Sequence, residues 1–284
     1  MTMKDSILEV EQLKVWETTT GRALVAGSSF RVRRGECLAI VGESGSGKSL
    51  TCRALMRLLQ PGIAQSGSIV LNGSELSSLT EKEMRRTRGK RICLIMQNGM
   101  RAFDPSRPVG AHLQETLRLH QSWSREQSED RLRQAFESVG LAQPVSIWKR
   151  YPHELSGGML QRVMIALAIV MKPDLLIADE PTTALDASTQ YEVVEQFARL
   201  RDRMGVSMLF VSHDLSVIKR LADEVLVMRQ GEIVERGRAN ALFAAPQHPY
   251  TRYLVAAKAE LKRSFNRLMG GGDDTEGLRR EQVL

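Results

Sequence analysis

The spacing of apolar positions changes several times along the chain, and each change predicts an element. Up to about residue 35 apolar and polar residues alternate (ILEVEQLKVW, then SSFRVRRGE), which predicts strands of a small antiparallel sheet. ECLAIVGESGSGKSLTCRALMRLL follows as a short apolar strand (Cys37 to Val41), a glycine loop and a helix with apolar residues three to four apart. GSIVLNGSEL predicts a hairpin turning at Asn72-Gly73. RICLIMQ, Arg91 to Gln97, predicts another strand, stopped by the breaker-rich NGMRAFDPSRP.

Residues of about 110 to 150 are amphipathic and helical (HLQETLRLH, REQSEDRLRQAFESVGL), with Gly140 as a stop. Pro152 then breaks the chain, and LSGG opens an apolar helix expected over Met159 to Met171. DLLIADE, Asp174 to Glu180, is apolar until it ends in two carboxylates, as a strand buried on both faces reads. A helix (Ser188 to Met204), a strand (VSMLFVSHD), a helix (LSVIKRLA) and a hairpin turning near Gln230-Gly231 complete the pattern. Strands alternating with helices predict a doubly wound α/β core, and an all-helical insert of about 60 residues interrupts it after Gln97. No repeat of solenoid or propeller length is visible.

Composition alters this picture little. Of 284 residues, 42% are apolar and 26% charged, ordinary values for a globular protein with ample length for a core. No apolar run is long enough to span a bilayer, and MTMKDSILEV lacks the apolar region of a secretory signal. Cys37, Cys52 and Cys93 are scattered among apolar residues and read as reduced, buried thiols. The net charge of +7 would suit an acidic partner, but the basic residues are dispersed. Their densest run, Lys82 to Arg91, has no interleaved aromatics, so it reads as a solvated helix face and no nucleic-acid partner is expected.

The candidate chemistry begins at GESGSGKS, Gly42 to Ser49, which fits G-x-x-x-x-G-K-[ST] between a strand and a helix. Its glycines let successive backbone N–H groups converge on a phosphate without side-chain clash. Lys48 is placed to reach the β- and γ-phosphates and the Ser49 hydroxyl to bind Mg²⁺. Asp179, at the end of a buried strand, suits a role in steadying the metal, and Glu180 can orient or deprotonate an attacking water. Gln97 and His213 end two further strands, so both fall on the carboxyl edge of the sheet. Gln97 there can touch the Mg²⁺ or the water, and His213 a γ-phosphate oxygen. Each taken singly reads as an ordinary structural polar residue; beside the phosphate loop and the acidic pair the functional reading prevails.

The ordered set GESGSGKS, Gln97, LSGGM, LLIADE, TALD (Thr183 to Asp186) and His213 resembles the nucleotide-binding subunit of an ATP-binding cassette transporter, over about residues 5 to 256. That resemblance implies an α/β, P-loop NTPase (RecA-like) core, residues 5–97 and 173–240, with an antiparallel β subdomain. It also implies an inserted helical subdomain, about residues 98–172, that holds LSGG. An extension and loose tail, residues 245–284, should follow. ATP is implied to lie along Gly42, Glu43, Ser44, Gly45, Ser46, Gly47, Lys48, Ser49 and Leu50. Lys48, Gln97, Glu180 and His213 are the implied catalytic residues, and Ser49, Gln97 and Asp179 the Mg²⁺ ligands. Two cassettes are implied to clamp two ATP molecules head to tail, with Ser156, Gly157 and Gly158 serving the partner's ATP and Asp186 in the loop that crosses the interface. Family members stack adenine on an aromatic ahead of the phosphate loop; Trp16 is the candidate, one residue from the usual spacing, which falls at Glu17.

Subfamily detail follows from SGSGKSLTC, IMQNGMRAFDP, YPHELSGGMLQR, IADEPTTALD and APQHPYTRYL (Ala245 to Leu254), which resemble ATPases of the peptide and nickel importer class, nearest in motifs to the nickel-importer ATPase. The implied partners are two membrane permease subunits, a second paralogous ATPase and an extracytoplasmic solute-binding protein, and the implied location is the cytoplasmic face of the bacterial inner membrane. Nickel or a metal chelate is the implied solute, with short peptides as the alternative. No cysteine follows Cys93, so the iron–sulfur centre of some peptide-importer relatives is not expected. A soluble cassette ATPase acting on DNA or ribosomes would be expected to fuse two cassettes or insert a coiled coil. A non-hydrolysing regulatory partner would be expected to lack Glu180 or His213.

Overall fold

The computed structural model describes residues 5–97, 99–141, 143–183 and 185–257. Asn98, Ala142, Ala184 and the part of the expected tail from residue 258 onward lie outside the described residues.

In chain order the strands are β1 (Ser6–Glu17), β2 (Ala23–Arg33), β3 (Cys37–Val41), β4 (Ile63–Leu71), β5 (Ser74–Glu75), β6 (Ile92–Ile95), β7 (Leu175–Asp179), β8 (Ser207–Val211), β9 (Glu224–Arg229) and β10 (Glu232–Arg238). They form a four-stranded antiparallel sheet, β2-β1-β4-β5, and a six-stranded sheet, β10-β9-β3-β8-β7-β6. Within the second sheet every pairing from β9 to β6 is parallel, and β10 is an antiparallel edge. β3, β7 and β8 are buried at all five positions, which is why they read as unbroken apolar runs.

Alternation inside those runs sorts the core into two layers. Cys37, Ala39 and Val41 of β3, with Leu176, Ala178, Met208 and Phe210, face the helices. Leu38, Ile40, Leu175, Ile177, Leu209 and Val211 face the four-stranded sheet, with helix α1 (Lys48–Leu55) wedged between the sheets through Cys52 and Leu55. The helix after the phosphate loop is thus clamped from both sides.

The first part of the basic run lies in α2 (Glu81–Thr87), opened by a capping box at Thr80 and Glu83, whereas Arg88 and Arg91 beyond it bind the Met56 carbonyl and Asp174. The insert contains α3 (Val109–His120), α4 (Arg125–Ser138), α5 (Pro144–Lys149) and α6 (Gly157–Met171). One apolar cluster runs from the helical face of the sheet through Leu160 and Val163 of α6 to Leu113, Leu132 and Phe136 of the insert. α6 starts two residues earlier than the apolar pattern predicts, because the Ser156 hydroxyl accepts from the Met159 N–H and draws both glycines into the first turn. α7 (Ala187–Met204), α8 (Leu215–Leu221), α9 (Ala239–Ala244) and a last helix over residues 249–257 complete the described chain. Gly140 and Gln230-Gly231 sit at the expected stop and turn, with positive φ. The three cysteines are free, and burial pushes the thiols of Cys37 and Cys93 up to about 12.

Candidate active site

Parallel strands bring their carboxyl ends to one edge, and there the chain collects its polar machinery. β3 runs into Gly42–Gly47 and then α1; β6 leads to Gln97; β7 delivers Asp179 and Glu180; β8 leads to His213. A cleft of about 820 Å³ opens at this edge, lined by Ser44, Gly45, Gly47, Lys48, Ser49, Leu50, Gln97 and Glu180 among others.

Close packing dictates the shape of the loop. A Cβ on Gly42 would lie 2.2 Å from the Met228 carbonyl oxygen, so only glycine lets the loop leave β3 against β9. Gly47, the residue before α1, has φ of 104°, and its carbonyl accepts from both the N–H (2.8 Å) and the hydroxyl (3.0 Å) of Thr51. The N–H groups of the first turn of α1 have no i−4 carbonyl, and Lys48, Ser49 and Leu50 of that turn line the cleft, an arrangement suited to a phosphate. Lys48 Nζ, 4% exposed, donates to the carbonyls of Gly42 and Glu43 at 2.8 Å each. Burial lowers its pKa, and the Glu180 and Asp179 carboxylates oppose that shift. An anionic substrate in the cleft would favour the charged ammonium further.

Ser49 Oγ donates to Asp179 Oδ1 at 2.8 Å, joining the start of α1 to the end of β7. Burial pushes the Asp179 carboxyl up, and the Ser49 hydroxyl pulls it part of the way back. The two are hard oxygen donors, with the Gln97 amide nearby. Among the described residues no three His, Cys, Asp or Glu side chains cluster as a metal site. This set fits Mg²⁺, which takes one or two protein oxygens and fills its remaining shell with phosphate and water.

Glu180 is where the site converges. Its φ is 45°, uncommon for a non-glycine residue, and its N–H is tied to the Val211 carbonyl of β8 at 2.9 Å. Its carboxylate accepts from Thr183 Oγ1 at 3.0 Å and from Gln97 Nε2 at 3.3 Å, and faces His213 Nδ1 at 3.4 Å. Lys48 Nζ lies 3.9 Å from its other oxygen. A carboxylate so held, only 16% exposed at the rim of the cleft, is placed to accept a proton from water. The structure therefore brings Lys48, Ser49, Gln97, Asp179, Glu180 and His213 together.

Trp16 and the LSGG residues stand apart from the lining of this cleft. Trp16 pairs with Ala23 across β1 and β2 and lines a neighbouring groove; Ala23 borders both spaces. Ser156 and Gly157 are exposed at the start of α6, whereas Gly158 is buried. A Cβ on Gly158 would lie 2.5 Å from Thr189 Cγ2 of α7, so its lack of a side chain lets α6 and α7 pack closely. Thr189 is itself held by Asp186, which caps α7 through the Thr189 N–H (3.0 Å) and hydroxyl (2.7 Å). Gly158→Ala is expected to destabilise the chain by about 1–3 kcal/mol through overpacking. An unchanged thermal midpoint in that variant would show that α7 gives way freely.

Several residues of the site escaped the sequence reading. Arg22, Ala23, Leu24 and Gln230 line the cleft from the antiparallel sheet and the β9–β10 hairpin, where alternation marks strand but not orientation toward a cleft. Thr183 and Tyr250 lay inside motifs that were recognised, but their contacts with Glu180 and with the Glu43 N–H depend on folding.

Comparison with known proteins agrees with this geometry. The family model described as ABC transporter matches residues 25–183. The chain is 43% identical to the "Metal-staphylopine import system ATP-binding protein CntD" of Staphylococcus aureus, covering 94% of this chain and 98% of the relative. It is also 43% identical to the "Oligopeptide transport ATP-binding protein OppD" of Bacillus subtilis, over 91% of this chain and 73% of that one. Among solved structures, cbiO1 from Clostridium perfringens, described as part of the ABC transporter complex cbiONQ, superposes with a TM-score of 0.71 at 25% identity, over 94% of this chain and 99% of that one. The chain belongs to the ABC transporter family, as an ATP-binding ATPase subunit.

Proposed function

We propose that this subunit energises import of a small metal chelate, of nickel or an opine-type metal complex, through a membrane permease. The observation that carries this reading is the near end-to-end match to the metal-staphylopine import ATPase. Import of short peptides is the second reading, favoured by the equal identity to the oligopeptide ATPase over a smaller share of that protein. The subunit works at the cytoplasmic face of the inner membrane with two permease subunits, a second paralogous ATPase and an extracytoplasmic binding protein. Among the described residues no helix is long and apolar enough to cross a membrane. Met96 and Met100, exposed on either side of Gln97, offer the permease an apolar foothold beside the cleft.

In this reading ATP lies along Gly42–Leu50, with Lys48 turning from its loop carbonyls to the β- and γ-phosphates and Trp16 offered to the adenine. Ser49, Asp179 and Gln97 hold Mg²⁺, whose chemistry when bound is to neutralise charge on the phosphate oxygens. Glu180 accepts a proton as water attacks the γ-phosphorus and the bond to the β–γ bridging oxygen breaks. His213 and Lys48 stabilise the charge on the transferred group, and Gln97 and Thr183 hold the Glu180 carboxylate in place. Ser156, Gly157 and Gly158 serve the ATP of the second ATPase, so the isolated monomer turns over ATP poorly.

Uptake separates the two readings. A strain lacking this chain is expected to lose accumulation of radiolabelled nickel supplied with an opine-type chelator and to keep uptake of a labelled tripeptide. The reverse pattern would establish the peptide reading in its place.

A further inference from the structure

The phosphate loop is gripped from outside as well as from within, by a residue far along the chain. The peptide joining Gly42 to Glu43 has its carbonyl on Lys48 Nζ at 2.8 Å and its N–H on the hydroxyl of Tyr250 at 3.0 Å. In a planar trans peptide the two groups point in opposite directions, so Lys48 and Tyr250 hold one peptide plane from opposite sides. When Lys48 leaves the carbonyl for a phosphate, the Tyr250 bond remains to fix that plane.

Tyr250 is itself built into place. It is 5% exposed, and the Arg229 guanidinium carbon lies 4.9 Å above its ring. It sits in the first turn of the helix over residues 249–257, and its N–H donates to His248 Nδ1 at 3.2 Å. The turn before that helix is anchored on Glu235 of β10, whose carboxylate accepts from the N–H groups of Gln247 (2.8 Å) and His248 (3.0 Å). Burial would raise the Glu235 carboxyl, but those two N–H groups hold it below the usual range. The neighbour of Arg229, Gln230, lines the cleft, and Gly231 N donates to the Ser46 carbonyl at 3.0 Å. The Glu235-anchored turn is therefore tied to the start of the loop through Tyr250, and the β9–β10 hairpin that carries Arg229 is tied to its far end through Gly231.

We propose that Tyr250 is a positioning residue for ATP binding: its hydroxyl fixes the Gly42–Glu43 peptide, which makes the Glu235-anchored turn and the last helix a working part of the nucleotide site. The proposal rests on the phosphate loop being the nucleotide site, and the test keeps the two apart.

Full-length Tyr250→Phe, Glu235→Gln, their double variant and Lys48→Ala would be titrated with a fluorescent ATP analogue in the presence of Mg²⁺, with nucleotide-free thermal midpoints measured in parallel. Tyr250→Phe is expected to weaken nucleotide affinity by roughly 3- to 10-fold, because the Gly42–Glu43 peptide is then free to leave the orientation a phosphate needs, and to lower the nucleotide-free midpoint by no more than about 2–4 °C. Glu235→Gln should weaken it in the same direction and less. The double variant should be no weaker than Tyr250→Phe, since Glu235 acts through Tyr250. Parental affinity in Tyr250→Phe, a lowered midpoint with unchanged affinity, or fully additive losses would each overturn the proposal. Affinity retained in Lys48→Ala would instead remove the nucleotide reading beneath it, whatever Tyr250 does.

Discussion

Glu180→Gln is expected to keep ATP bound while turnover in the assembled transporter falls by roughly 10²- to 10⁴-fold, the usual worth of a positioned general base. The exchange preserves size and leaves an oxygen for the Thr183 hydroxyl, 3.0 Å from the carboxylate in the parent. It removes the carboxylate proposed to accept the proton from water. It also removes a negative charge 3.9 Å from Lys48 Nζ, so affinity for anionic ATP should not fall. Phosphate release measured beside equilibrium ATP binding checks both halves. Turnover within a factor of a few of the parent would reject Glu180 as the base and leave its strained backbone (φ 45°) without a catalytic explanation.

The second large effect lies in binding. Lys48→Ala should weaken ATP by roughly 30- to several-thousand-fold, the range for truncating one partner of a buried charged contact. Lys48 Nζ is a stored donor, lent to the Gly42 and Glu43 carbonyls at 2.8 Å while its own burial disfavours the charge. Phosphate oxygens offer that ammonium what the loop supplies only in part. Truncation also strands two carbonyls that hold the loop in shape, so the loss combines a missing charge with a slackened cradle. Calorimetric titration of ATP into the full chain measures it. A loss smaller than about tenfold would count against the Gly42–Ser49 loop as the nucleotide site.

Much of the architecture was legible because local patterns and the fold agree. The runs of β3, β7 and β8 lost their alternation, and these strands are buried on both faces. Each of them ends in residues of the cleft edge, so placing Glu180 and His213 there needed only the inference that the sheet is parallel. The Ser-Gly-Gly opening of α6 was legible as a helix start, since a serine cap acts within its own turn. Its second glycine was not fully so: Gly158 also makes room for Thr189, thirty-one residues away. Trp16 was chosen as the aromatic next to the usual spacing, which falls at Glu17, and only the fold showed that it lines a groove beside the cleft with Ala23 bordering both.

The sequence by itself determined the chemistry on offer: a glycine loop ending in lysine and serine, an acidic pair after a buried strand, a helix opened by Ser-Gly-Gly, and the order of strands and helices that displays them. These are readable because each depends on residues a few positions apart. Only the tertiary structure decided which groups meet. Asp179 found the Ser49 hydroxyl across 130 positions, Glu180 was steadied by Gln97 across 83, and Tyr250 reached the Glu43 N–H across 207. Hydrogen bonds of that kind require donor and acceptor within about 3 Å, and such distances are fixed only once two sheets and the helices around them have packed.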